Sequence, residues 1–270
     1  MQKNIFDFVW NYKKPKVKNK VVIQSIENGG FKVPCIEPHV KASRISWIKR
    51  LLQKDCRSMQ YLVTFLPNID FKDFVKCNFN PKDLPTDIPA FYFQILHAWF
   101  EMKKEPETPL DVRREYVIFN QYIGIDSKYI YYKSLAENGV LLIDQLVNNT
   151  GTFIDFNTFS VKYGPLITQF QYMSLIDAIP KYWRKILKTQ TFNTSICSTQ
   201  EKPFCKIAPK VEKNVYMLKS SEVYWSILSN NKTQATCIKS WADRIDVKVE
   251  DKYWEAVFKM PLLCVNEIRI

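Results

Sequence analysis

Basic side chains are concentrated in the first 50 residues, where they form two groups able to bind anions. The first group lies between two apolar segments and consists of Lys13, Lys14, Lys16, Lys18 and Lys20. The second lies in a stretch of helical periodicity and consists of Lys41, Arg44, Lys49 and Arg50. Flexible cations at such spacing suit contact with a phosphate backbone without reading its sequence. Like charges this close also stay solvated, so the lysine run taken alone is equally typical of a charged surface loop.

Catalytic chemistry has few candidates in this sequence. The only histidines are His39 and His97, and the glycine-rich phosphate-binding motifs are absent. A polymerase active site needs clustered aspartates to hold two metal ions, and no two aspartates are adjacent. Seven cysteines without C-x-x-C spacing indicate neither a zinc site nor a disulfide framework. We therefore predict no catalytic residue, no metal and no cofactor, and we assign His97 a packing role.

The composition is that of a globular, basic protein with a preference for helix. Hydrophobic residues make up 46%, there are 6 glycines, and the net charge is +12. This positive surplus favours polyanionic partners, although a basic protein without such a partner fits equally well. The N-terminus is too polar for a secretory signal, and no apolar run approaches the ~18–20 residues of a membrane span. These features predict a soluble intracellular protein, cytoplasmic or nuclear, with no membrane partner.

Periodicity and turn residues outline a mainly α protein. The first elements predicted are a short amphipathic helix within 1–12, a strand at Val21–Ile23, a turn formed by Gly29, Gly30 and Pro34, and a helix over 37–54. Next come short helical turns in 55–86, a helix opened by Asp87 and Pro89, and helices at 128–137, 141–148, 157–163, 168–179 and 180–187. After a stretch rich in Thr, Ser, Asn, Pro and Lys, the last helices are predicted at 219–229, 233–243 and 252–259.

Apolar spacing also predicts which side chains of these helices are buried. In the helix opened by Pro89 they are Phe91, Ile95, Ala98, Trp99 and Met102. In the helix at 168–179 the residues at helical spacing are Phe170, Met173 and Ile176. Four aromatic residues have rings that could stack on bases: Tyr131, Tyr132, Tyr172 and Trp183. At helical spacing such rings belong more often to the core, and we favour that interpretation.

The order of motifs in the first 52 residues resembles the end of the reverse transcriptase domain of LINE-type (non-LTR) retrotransposons. The motifs are Phe8-Val9-Trp10-Asn11, the lysine run, the turn Glu27–Pro34 with Ile36-Glu37, and the helix Val40–Leu52. Looser similarity continues through Phe91–Trp99, Gly139–Leu146, Phe156–Pro180 and the pair Trp241 and Trp254. Cys35 departs from the pattern, because an Asp or Asn is usual at that position.

The resemblance implies a thumb-like helical segment with a short strand and turn, followed by an irregular helical domain. Residues 1–55 would be the C-terminal end of the thumb, and 56–190 the helical region downstream of the polymerase. Residues 191–214 would be a loop or linker, and 215–270 a terminal helical segment truncated before a Cys-rich region. The polymerase palm is absent, so we expect a fragment that is not itself an enzyme.

Two functions follow from these expectations. The first is non-catalytic contact with the backbone of template RNA and of the RNA–DNA hybrid, beside the missing palm surface. The second is a helical protein-interaction scaffold, in which an apolar surface around Phe6, Phe8 and Trp10 binds a protein and the basic patch is incidental. A stand-alone enzyme ranks third.

Overall fold

The described part of the chain is built mainly from helices. The structure, a computed structural model, describes residues 1–15, 17–26, 30–53, 56–67, 69–126, 128–192, 203–208 and 211–229. Over these ranges, α-helices and short 3₁₀ segments are accompanied by two small antiparallel sheets of two strands each. The predicted mainly α fold class is therefore confirmed. None of the described helices has the length and apolar character required to cross a membrane.

The chain folds as two compact units. The first unit comprises 1–43 and the segment from Ser220, with helices α1 (Gln2–Val9), α2 (Asn19–Val22), the start of α3 (Ile36–Leu51), and α12 (Ser220–Ser229). The second unit, 44–219, holds the end of α3 and helices α4 (Arg57–Leu62), α5 (Phe71–Phe74), α6 (Ala90–Glu101), α7 (Pro109–Arg113), α8 (Lys133–Glu137), α9 (Phe156–Tyr163), α10 (Gln169–Ala178) and α11 (Lys181–Leu187). Its strands β1 (Gly124–Ile125) and β2 (Lys128–Tyr129) pair with each other, as do β3 (Phe204–Ala208) and β4 (Val211–Asn214).

Helices α1 and α3 agree with the prediction, whereas the predicted strand at Val21–Ile23 is wrong. Residues 19–22 form a single helical turn, in which the N–H groups of Val21 and Val22 both donate to the Lys18 carbonyl. Both valine side chains are buried. β-Branched residues favour strands only where a neighbouring strand is available, and burial within this unit overrides that preference.

Capping residues explain where two helices of the second unit begin. Asp155 accepts a hydrogen bond from the Thr158 N–H (3.0 Å) at the start of α9. Thr168 and Gln171 form a reciprocal capping box at the start of α10, satisfying N–H groups that the first helical turn leaves without partners. Both helices were predicted. The predicted cap of α6 is wrong, because Pro89 precedes the helix and Asp87 makes no capping bond to it.

The buried faces of α6 and α10 differ in part from the predicted stripes. Ile95, Ala98 and Trp99 are buried as expected, but the Phe91 side chain is 46% exposed. On α10 the buried residues are Tyr172, Leu175 and Ile176, whereas Phe170 is 81% exposed and Met173 is 50% exposed. Ile176 lies on both the predicted face, with Phe170 and Met173, and the buried face, with Tyr172 and Leu175. Apolar spacing alone therefore selected the wrong face of α10.

Strands replace predicted helix or loop at two places in the second unit. The predicted helix at 128–137 starts as β2, whose Tyr129 ring stacks on Phe79 (4.9 Å between centroids), and only its end is helical, as α8. Gly139, which follows α8, has a left-handed backbone (φ 68°). The segment 141–148 contains a 3₁₀ turn, Ile143–Leu146. The predicted loop at 191–214 contains the hairpin β3–β4, and the predicted helices at 233–243 and 252–259 lie outside the described residues.

A buried ion pair connects three segments of the second unit. An Arg113 Nη1 at the end of α7 donates to Asp144 Oδ1 (2.7 Å), and both side chains are almost fully buried. The other terminal nitrogen of Arg113 donates to the Asn148 carbonyl (2.7 Å), and the guanidinium lies over the Phe192 ring (4.8 Å to the centroid). The pair therefore holds α7, the 3₁₀ turn and the following loop together.

We predict that Asp144→Ala lowers the free energy of unfolding by about 3–5 kcal/mol, because it leaves a buried guanidinium without its counter-charge. Lys133→Ala is the matched control: its exposed pair with Glu137 is worth below about 0.5 kcal/mol. Urea titrations followed by circular dichroism compare the two variants. Equal midpoints for Asp144→Ala and the wild-type protein would show that the ion pair contributes nothing.

Candidate nucleic-acid interface

The predicted lysine segment, residues 13–20, lies between α1 and α2. Lys13, Lys14, Lys18 and Lys20 are all exposed, and Lys16 lies outside the described residues. Within the described part of the chain none of these four side chains takes part in a salt bridge with an acid. Their positive charges therefore face solvent without local neutralisation, as contact with a polyanion requires.

The flanks of the lysine segment are attached to the start of α3. On the N-terminal side, the Gln2 side chain of α1 donates to the Pro34 carbonyl (3.1 Å) and accepts from the Ile36 N–H (2.7 Å). On the C-terminal side, the N–H groups of Phe31 and Val33 donate to the Val22 carbonyl at the end of α2 (3.0 and 3.3 Å). These bonds fix the two ends of the lysine segment within the first unit.

The turn that was predicted from Gly29, Gly30 and Pro34 contains one glycine that the packing requires. Gly30 is buried, and a Cβ added to it would lie 2.1 Å from the Gln24 carbonyl oxygen and 2.6 Å from that of Val21. Pro34 is exposed and takes part through its carbonyl, while Gly29 lies outside the described residues. Only a residue without a side chain lets the turn close against α2.

Gly30→Ala is therefore expected to open this turn, at a cost of roughly 1–3 kcal/mol, because its methyl group would collide with backbone atoms that cannot rotate away. The measurement is hydrogen exchange at the amides of Phe31 and Val33, which should lose protection. Phe31→Ala, at a side chain that is 55% exposed, is the control and should leave the Val33 amide protected. Unchanged exchange in Gly30→Ala would contradict the close approach.

The second predicted group of cations is distributed around α3. Lys41 belongs to the first unit, and the other three belong to the second. The Arg50 guanidinium stacks over the Trp47 ring (4.5 Å to the centroid), and one Arg44 Nη donates to Gln94 Oε1 (2.8 Å). Arg44, Trp47 and Arg50 follow one another at a spacing of three residues, so they line one side of the helix. Lys49 is half-buried and lies about 200° around the helix from Trp47.

Of the four aromatic residues considered from the sequence, two clearly belong to the core. Tyr172 and Trp183 are buried, as the preferred interpretation predicted. Tyr131 stacks on Phe119 (5.0 Å between centroids) and is half-buried, as is Tyr132. The exposed rings of the second unit include two others: Tyr61, which the sequence analysis did not consider, and Phe91, which it wrongly predicted to be buried.

Titratable side chains also gather around Glu115 in the second unit. Burial raises the pKa of the Glu115 carboxyl to about 7, although Lys103 and a hydrogen bond from Asn120 Nδ2 (2.8 Å) oppose the shift. A carboxyl with this pKa can exchange a proton near neutral pH. Cys77 beside it is fully buried, and burial raises the pKa of its thiol, so it remains protonated and unreactive.

His97 lies on the surface, with Nδ1 3.4 Å from Glu101 Oε2.

The raised pKa of Glu115 makes stability depend on pH. Between the unfolded value of 4.5 and about 7, the folded protein keeps a proton that the unfolded chain releases, so stability falls as pH rises through that window. We predict that Glu115→Gln loses less stability than the wild-type protein between about pH 5 and pH 7.5, by on the order of 1 kcal/mol. Urea unfolding at several pH values tests this, with the exposed Glu107→Gln as control. Parallel curves for Glu115→Gln and wild type would contradict it.

No group of three or more His, Cys, Asp and Glu side chains among the described residues is arranged to hold a metal ion. The chemistry that the described surface supports best is electrostatic and aromatic contact. Comparison with known proteins identifies no relative: no protein-family model, curated protein or solved structure matches the chain. The resemblance to LINE-type reverse transcriptases therefore depends on its sequence motifs alone.

Proposed function

We propose that this chain is a non-catalytic, nucleic-acid-contacting piece of a LINE-type retrotransposon reverse transcriptase. It holds the backbone of template RNA and of the RNA–DNA hybrid without reading base sequence, and it acts inside the cell, in the cytoplasm or nucleus. The observation that carries the proposal is the anchored lysine segment, in which Lys13, Lys14, Lys18 and Lys20 are exposed without an acidic partner among the described residues.

The electrostatics of the segment favour a polyanion such as a phosphate backbone. Its closely spaced lysines match a ligand whose negative charges are repeated along a chain, and each phosphate neutralised releases condensed counterions. Lysine is a flexible point charge, so it follows a backbone and does not select a base. The net charge of +12 attracts a polyanion from a distance in the same sense.

The order of elements supports the retroelement part of the proposal. Helix α1 ends within the Phe8-Val9-Trp10 motif, the lysine segment follows, and the Gly30 turn leads into α3, in the order that the reverse transcriptase motifs have. In such a protein the segment would lie near the template–primer duplex, and the palm would supply the catalytic aspartates that the chain lacks.

One observation favours a second function, that of a protein-interaction scaffold. Phe8 on α1 is 79% exposed and Val9 is 37% exposed, although both are apolar. Such an apolar surface fits either the palm of a reverse transcriptase or an unrelated protein partner. Under this alternative the lysines are incidental and binding does not depend on salt.

The test is a titration of a labelled RNA–DNA hybrid with the purified chain, followed by fluorescence anisotropy at about 50 and 200 mM salt. We expect affinity to fall steeply with salt, by roughly 0.7–0.9 log units per log unit of salt for each phosphate contacted. Replacing Lys13, Lys14, Lys16, Lys18 and Lys20 with alanine should weaken binding and flatten this slope.

A second variant separates position from overall charge. It replaces five exposed lysines of the second unit with alanine: Lys82, Lys104, Lys128, Lys185 and Lys188. Both variants lower the net charge from +12 to +7, so only the position of the lost charges differs. If both variants weakened binding equally, the effect would come from net charge, and the lysine segment would have no special role. No binding by the wild-type chain would favour the scaffold.

A further inference from the structure

Five aromatic side chains of the second unit form a continuous row of rings, here called the aromatic ribbon: Trp47, Phe91, Tyr92, Tyr61 and Phe65. Trp47 of α3 meets Phe91 of α6 (5.1 Å between centroids), and Phe91 meets its neighbour Tyr92 (5.3 Å). Tyr92 meets Tyr61 of α4 (6.0 Å), and Tyr61 meets Phe65 in the next 3₁₀ turn (5.2 Å). Three helices therefore combine to build one aromatic surface.

Two rings of the ribbon are not buried in the core. Tyr61 is 53% exposed and Phe91 is 46% exposed. Helix α6 already buries an apolar face through Ile95, Leu96 and Trp99, so burial of Phe91 is not what holds this helix in place. On α4 only Leu62 is buried. These two exposed rings thus have surface available to a ligand.

The surroundings of the ribbon are positively charged. Arg50 stacks on Trp47 at one end of the row, and Arg44 lies one turn before Trp47 on the same side of α3. On α4, the exposed Arg57 lies one turn before Tyr61. The parts of α3, α4 and α6 within this unit carry three arginines, Arg44, Arg50 and Arg57, against one acid, Glu101. A neutral apolar partner would not need this charge, whereas a nucleic acid offers both aromatic bases and phosphates.

We propose that the aromatic ribbon is a binding site for unpaired nucleotides, in which bases stack on Tyr61 and Phe91 and the arginines contact the phosphates. The inference rests on the proposed function for its class of ligand, but it concerns a different surface and a different structure of the nucleic acid. Aromatic stacking tolerates any base, because every base has a π-face. In a duplex those faces are covered by neighbouring base pairs. The ribbon therefore selects single strands, whereas the lysine segment binds the backbone of single strands and duplexes alike.

The test compares two labelled probes, a single-stranded RNA of mixed sequence and the RNA–DNA hybrid of the same sequence. The double variant Tyr61→Ala, Phe91→Ala should weaken binding of the single strand by roughly five- to a hundredfold per ring, and binding of the hybrid by less than about twofold. Its salt slope should equal that of the wild-type chain, because no charge is removed. The matched control is Phe170→Ala with Met173→Ala, which removes two exposed apolar side chains from α10 and should change neither affinity.

Two further variants keep the test decisive if alanine disturbs the fold. Tyr61→Leu with Phe91→Leu keeps an apolar surface without π-faces and should lose the single strand, whereas Tyr61→Trp with Phe91→Trp should retain it. Retained binding by the leucine variant would overturn stacking and indicate plain apolar contact. An equal loss of affinity for both probes, or no loss for either, would also overturn the inference. The proposed binding of the backbone by the lysine segment would not be affected. Failure of the wild-type chain to bind either probe would overturn both proposals.

Discussion

The buried ion pair between Arg113 and Asp144 connects three segments of the second unit. The Arg113 guanidinium is buried, and its two terminal nitrogens donate to Asp144 and to the Asn148 carbonyl. The Asn148 side chain in turn accepts bonds from the N–H groups of Thr150 and Thr152. Between them lies Gly151, where an added Cβ would be 2.0 Å from the Leu187 carbonyl oxygen, so this loop packs directly against the end of α11. The buried charge thereby joins α7 to the 3₁₀ turn and to the loop at Asn148, and that loop in turn packs against α11.

The two surfaces proposed to bind nucleic acid rely on different physical interactions. The lysine segment contributes point charges in water, whose effect weakens with salt and does not depend on the structure of the ligand beyond its charge density. The aromatic ribbon contributes stacking, which salt hardly affects and which requires exposed base faces. A protein that holds both a duplex and the strand emerging from it needs interactions of both kinds.

Much of the fold could be predicted because its signals are local. Asp155 and Thr168 mark the starts of α9 and α10 through bonds that reach only three residues ahead. The elements that were missed depend on distant partners: the stacking of Tyr129 on Phe79, and the burial of Val21 and Val22 by the rest of the first unit. The same distinction applies to the site. Solvation of a dense lysine run follows from repulsion between neighbours, so its exposure could be foreseen. Tyr61 of α4 and Tyr92 of α6, by contrast, are distant in sequence and meet only in the folded unit.

The fixed ends of the lysine segment have a consequence for the energy of the empty protein. Because α1 and α2 are both attached near the start of α3, the lysines between them cannot separate as far as they would in a free chain. Their mutual repulsion therefore opposes folding of the first unit, and a bound polyanion removes that opposition. Under the proposed function, the occupied protein therefore melts at a higher temperature than the empty one.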